Sequence, residues 1–159
     1  MKEDNDIFKK FRDSFSKIDG HFHILEQRVP VERQMEYFKY SEKIRKDQDK
    51  PDISKMDFSV FEDSLDDPES TVEHKKYVLS ILATSRQVKA YRILEEYAQA
   101  PDPDVADWAY MALMESRIAL ESELSDEKQI YISTGLGGKG EKLRFYVLMT
   151  SKGKKPFQE

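Results

Sequence analysis

Between residues 53 and 122 apolar side chains recur at helical spacing, and Asp/Pro turns cut the pattern into separate pieces. A chain punctuated in this way buries its stripes by stacking short helices on one another. Ile53, Met56, Val60, Phe61 and Leu65 mark one helix, which Asp66, Asp67 and Pro68 end. Ser70 and Glu73 have capping-box spacing, so that hydroxyl and carboxylate each answer a free backbone N–H. The helix they open reaches about Ala83, with Val78, Leu79, Ile81 and Leu82 apolar. Ser85 is placed to cap a further helix carrying Val88, Tyr91, Leu94, Tyr97 and Ala98. Pro101, Asp102 and Pro103 then turn the chain; Asp102 suits a cap and Pro103 a first helical position. The final helix has the most regular stripe: Val105, Trp108, Ala109, Ala112, Leu113, Ser116 and Leu120.

These pieces repeat. A shift of 33 residues aligns Phe61 with Leu94, Glu62 with Glu95, Pro68 with Pro101, Val72 with Val105 and Tyr77 with Tyr110. Each unit is a helix, a short Asp/Pro turn and a second helix. The pattern resembles the HEAT-repeat family of paired antiparallel helices, over roughly residues 53–122. Lys75 and Lys76 depart from it, falling opposite Trp108 and Ala109; a shift of 30 places Val78 and Leu79 there instead, so the register stays open. The resemblance implies a small helical scaffold whose partner is another protein. Two such units cannot bury their faces unaided, so the N-terminal helices are expected to cap the stack.

Upstream, Ile7, Phe8, Phe11, Phe15 and Ile18 predict a helix over residues 6–18 that Gly20 can stop. Residues 21–28 fit either a short helix or an extended lead-in. Pro30 opens a second helix whose stripe reads Val31, Met35, Phe38 and Tyr37. Past Ser41 the sequence is polar, and residues 46–51 read as a solvated linker. Downstream the period changes from helical to two. Gln129, Ile130, Tyr131, Ile132 and Ser133 alternate, as do Leu143, Phe145, Val147 and Met149 against Arg144, Tyr146, Leu148 and Thr150. The simplest reading is a two-stranded β-hairpin over residues 128–150 with a glycine-rich loop, followed by a basic tail, residues 151–159. The expected fold is thus mostly α: one domain over residues 1–159, with N-terminal helices in 1–50, HEAT-like antiparallel helical hairpins in 53–124, and the C-terminal β-hairpin.

Composition narrows the function. There is no cysteine, which excludes disulfides, thiolate metal sites and cysteine nucleophiles. The opening residues are too acidic for a signal peptide, and no apolar run approaches the length of a membrane span. A reducing, cytoplasmic setting is the simplest reading. Nine Phe, eight Tyr and one Trp supply enough apolar area for a real core. The formal charge of −5 is uneven: residues 135–159 carry +4, leaving −9 for residues 1–134. An acidic body repels phosphate over most of its surface and so disfavours general nucleic-acid binding.

Gly135, Gly137 and Gly140 satisfy G-x-G-x-x-G, a phosphate-cradle spacing in which Gly138 also lets the backbone approach and Lys139 or Lys142 adds charge. A dinucleotide site needs a helix after the loop, whereas a strand is expected here, so a plain hairpin loop is the simpler reading. His21 and His23 would share one face of a strand, with Glu26 or His74 as further ligands, but two polar residues beside Gly20 explain them more simply, and no metal or other cofactor is expected. No serine sits in a nucleophile elbow, and Glu95, Glu96 and Glu115 carry no sign of pairing. Trp108 reads as core, and core packing also accounts best for Tyr91, Tyr97 and Tyr110. Lys139, Lys142, Arg144, Lys152, Lys154 and Lys155 interleave with Phe145, Tyr146 and Phe157, which suits either a nucleic-acid ribbon or lysines guarding a strand edge. The expectation is a non-enzymatic protein-interaction module. Its surface would be the C-terminal ribbon, through Arg144, Tyr146 and Leu148, joined to a protein partner or to its own copy in a homodimer.

Overall fold

The computed structural model describes residue 13, residues 20–140 and residues 142–146. The helix expected over residues 6–18, the strand residues Val147, Leu148 and Met149, and the basic tail lie outside the described residues. The fold is mostly helical with a short C-terminal hairpin. In chain order it runs β1 (His21–Ile24), α1 (Val31–Lys46), a 3-10 turn (Ile53–Lys55), α2 (Ser59–Asp66), α3 (Val72–Thr84), α4 (Val88–Tyr97), a second 3-10 turn (Pro103–Val105) and α5 (Ala106–Leu124). The strands β2 (Gln129–Ile132), β3 (Gly138–Lys139) and β4 (Lys142–Leu143) follow.

α3 is the centre of the molecule and touches α1, α2, α4 and α5. Every residue from Val78 to Ala83 is buried, so this stretch shows no one-sided stripe. Its start is fixed by Thr71, whose hydroxyl accepts the His74 N–H at 3.2 Å; Thr71, not Ser70, is the cap. Asp102 caps the second 3-10 turn by accepting the Asp104 N–H at 3.2 Å, and α5 continues directly from that turn. α2 starts later than expected: Met56 precedes it and is exposed, while Ile53, Phe61 and Leu65 are buried. Ser85 is not the cap of α4, whose N-cap is Gln87; the Ser85 hydroxyl donates to the Leu82 carbonyl at 2.7 Å and accepts the Gln87 N–H at 3.3 Å.

α2 packs on α3 and α4 on α5, giving two successive helix–turn–helix units. Lys75 and Lys76, the residues that broke the repeat, are drawn inward. Lys75 is buried and reaches the Asp102 carboxylate at 3.2 Å. Lys76 lies 4.7 Å from the centre of the Trp108 ring and 3.2 Å from Glu36. Trp108 is core as expected: its indole N–H donates to the Ser80 hydroxyl at 2.8 Å, and Tyr37 and Tyr40 meet it edge to face.

The strands pair differently from expectation. Among the described residues, Gln129–Ile132 does not pair with residues 142–146. It pairs in parallel with His21–Ile24, in the register His21 with Gln129 through Ile24 with Ile132. The C-terminal hairpin is the shorter β3–β4 pair, Gly138 opposite Leu143 and Lys139 opposite Lys142. Gly20 makes the parallel pairing possible: at φ +154° it lets its backbone lie where a Cβ would stand 2.3 Å from the Lys128 carbonyl oxygen. The following His21 N–H donates to that carbonyl at 2.9 Å.

Candidate functional site

α1 has two faces of opposite character. Gln34, Tyr37, Ser41 and Ile44 are buried, whereas Val31, Met35 and Phe38 are 51%, 53% and 40% exposed. The predicted stripe therefore faces outward, apart from Tyr37. The inner face is tolerated because each polar group on it meets a partner. The Gln34 amide donates to the Val29 carbonyl at 2.8 Å and the Ser133 hydroxyl at 3.0 Å. The Tyr37 hydroxyl donates to Glu115 at 2.5 Å, and the Ser41 hydroxyl donates to the same carboxylate at 2.7 Å. Arg45 stands 3.6 Å from it. Burial, followed by the adjacent Glu115 charge, pushes the Tyr37 phenol well above the ordinary tyrosine range.

Glu115 and Arg45 of this knot also line a cleft of about 440 Å³ between α1, α3, α5 and β2. Phe38, Met111, Met114, Ile118 and Tyr131 give it an apolar lining. The Phe38 and Tyr131 rings meet edge to face with centroids 6.4 Å apart. At the rim Arg86 pairs with Glu123 at 3.2 Å, and Arg86 has φ +56°. Such a conformation is common just past a helix end but is usually given to glycine. Phe38 belongs both to the lining of this cleft and to the exposed face of α1 that carries Val31 and Met35.

The glycine loop turns inward. Gly137 has φ +78°, and a Cβ there would stand 2.3 Å from the Glu26 carbonyl oxygen, so its backbone is pressed against the β1–α1 connection. The Gly138 N–H donates to the Glu26 carbonyl at 3.1 Å, and the Gly140 N–H donates to the Glu26 carboxylate at 2.7 Å. The Gly135 N–H goes to the Ser133 hydroxyl at 3.0 Å. Three of the donors that a phosphate would need thus serve the fold. Lys139 and Lys142 are exposed opposite one another across the hairpin. Arg144 holds the turn closed, its N–H donating to the Gly137 carbonyl at 3.0 Å, while Tyr146 is 80% exposed; Leu148 lies outside the described residues.

His21 and His23 do lie on a strand, but each is engaged: His21 with Glu127, and His23 with Gln129 and Glu121. Among the described residues, no three His, Asp or Glu side chains are grouped to hold a metal. The Tyr37–Ser41–Glu115 knot is what sequence reasoning missed, since Glu115 carries no mark of pairing and its partners lie more than 70 residues away. The available signal was the 3-4-3 spacing of Gln34, Tyr37, Ser41 and Ile44, a helical face in its own right. No protein-family model, curated protein or solved structure matches this chain.

Proposed function

We propose that this chain is a non-enzymatic docking module: a small HEAT-like helical scaffold that holds another protein on the outer face of α1 and the cleft beside it. One observation carries the reading. Val31, Met35 and Phe38 stand at i, i+4 and i+7 on the exposed face of a helix whose other face already meets the core. Residues at that spacing are the anchors by which a helix takes up an amphipathic partner. The apolar cleft next to Phe38 gives such a partner a place for a large side chain. The exposed Phe145 and Tyr146 offer a second patch, consistent with the C-terminal ribbon contributing contacts. A cytoplasmic setting suits the cysteine-free composition.

Phosphate binding on the loop of residues 135–140 is the weaker reading, because Glu26 already takes the Gly138 and Gly140 N–H groups. Nucleic-acid binding through Lys139, Lys142 and Arg144 is weaker still against a body of net charge −9 over residues 1–134. The test is site-specific photo-crosslinking in the native host, with the reactive residue at Met35 and a control at the exposed Lys55. A discrete protein adduct at position 35 and none at position 55 is expected. Equal labelling at both positions would sink the docking reading.

A further inference from the structure

We propose that the occupant of the outer α1 face is a second copy of this chain, the two α1 helices meeting antiparallel about a two-fold axis. The inference rests on the docking reading above and gives its partner. The apolar stripe calls for a cover, and the charges beside it say which one. Most charged side chains along α1 are spent within the molecule: Arg33 on Glu36, Lys46 on Glu42, Arg45 on Glu115, and Glu36 also on Lys76. Among the described residues, Glu32 and Lys39 have no ion-pair partner, and both are exposed. They are seven residues apart, which is about two helical turns, so they lie on the same side of the helix and border the stripe.

Opposite charges one heptad apart are self-complementary in one orientation only. A two-fold axis perpendicular to α1 brings Glu32 of one copy to Lys39 of the other, and the same pair forms again by symmetry. Parallel pairing would set Glu32 on Glu32 and Lys39 on Lys39, which costs energy instead of gaining it. Between the two charge pairs, Val31, Met35 and Phe38 of each copy close the seam. Lys43, likewise without an ion-pair partner among the described residues and one turn beyond Lys39, extends the basic end that receives the acidic start of the other helix. A patch this small makes a weak pair, dissociating on the order of tens of micromolar.

Charge reversal decides the matter. Sedimentation equilibrium on the full chain should show wild type dimerising, and Glu32→Lys and Lys39→Glu each weakened about tenfold. Mixing the two single variants should restore association, since one chain then carries lysine at both positions and the other glutamate at both, and every cross-axis pair is again of opposite sign. The double variant Glu32→Lys/Lys39→Glu should also dimerise like wild type, which no folding defect would produce. A wild-type chain that stays monomeric at several hundred micromolar (about ten times the expected constant) would overturn the proposal. So would single reversals without effect, or a mixture that does not recover. The Met35 adduct separates this inference from the docking reading. A product of twice the chain mass supports both; a product with a different protein keeps the docking reading and ends this one; the absence of any adduct ends both.

Discussion

The two faces of α1 invert the usual division of labour. The inner face carries an amide, a phenol and a hydroxyl and is buried; the outer carries valine, methionine and phenylalanine and is exposed. The difference teaches that hydropathy alone does not choose which side of a helix turns inward. A polar face can be buried when every group on it has an assigned partner, and Gln34, Tyr37 and Ser41 each have one. The apolar face is then left exposed.

The strongest way to break the inner face is to remove what it rests on. Trp108→Ala deletes the ring that Tyr37 and Tyr40 both contact and leaves Ser80 without its indole donor; we expect a loss of about 3–5 kcal/mol in urea unfolding. A loss under about 1 kcal/mol would place the ring outside the core. Glu115→Ala leaves the Tyr37 and Ser41 hydroxyls buried without their acceptor, at a cost of about 3 kcal/mol, whereas Glu115→Gln should retain part of that.

Tyr37→Phe removes one donor and should cost about 1 kcal/mol at neutral pH. Its pH dependence sharpens the comparison. Because the folded phenol titrates above the unfolded one, the native state holds its proton longer, and the stability this contributes is present below about pH 10 and lost as pH rises beyond it. The advantage of wild type over Tyr37→Phe should therefore shrink between about pH 10 and pH 11; a constant difference would place the hydroxyl in water.

The smallest effects lie where no partner exists. Ser116 is fully buried on α5, and its hydroxyl is the one buried side-chain polar atom among the described residues that lacks a hydrogen bond. Ser116→Ala should be neutral or stabilise by up to about 1 kcal/mol, while Ser41→Ala, equally buried but bonded to Glu115, should destabilise by a similar amount. Met35→Ser on the outer face should change monomer stability by less than about 0.5 kcal/mol.

What was legible in the sequence was local. The Asp102-Pro103 turn, the stripe of α5 and the burial of Trp108 all follow from residues close in the chain, and each is found where expected. What was not legible depends on distant partners. Lys75 reads as a break in the repeat until Asp102 comes to meet it. Ser41 reads as the start of a polar run until Glu115 receives it. Ile130 and Ile132 announced a strand, but their alternation held no information about which strand would pair with it; the nearer candidate downstream was the natural expectation, and His21–Ile24 took the place. The site suffered most, because an outward-facing apolar stripe looks in sequence like an inward-facing one.

That parallel pairing also sets an order of events. His21 and Gln129 are paired neighbours with the whole helical body between them. Closing so long a loop carries an entropic penalty that helix-on-helix contacts, being nearer in the chain, do not meet. The helices should therefore assemble first and the two strands zip last. During synthesis β1 leaves the ribosome ahead of all five helices and has to wait for β2 until α5 is already made. Until then its backbone groups are unpaired, and this is the interval in which the nascent chain is most open to pairing with the wrong strand.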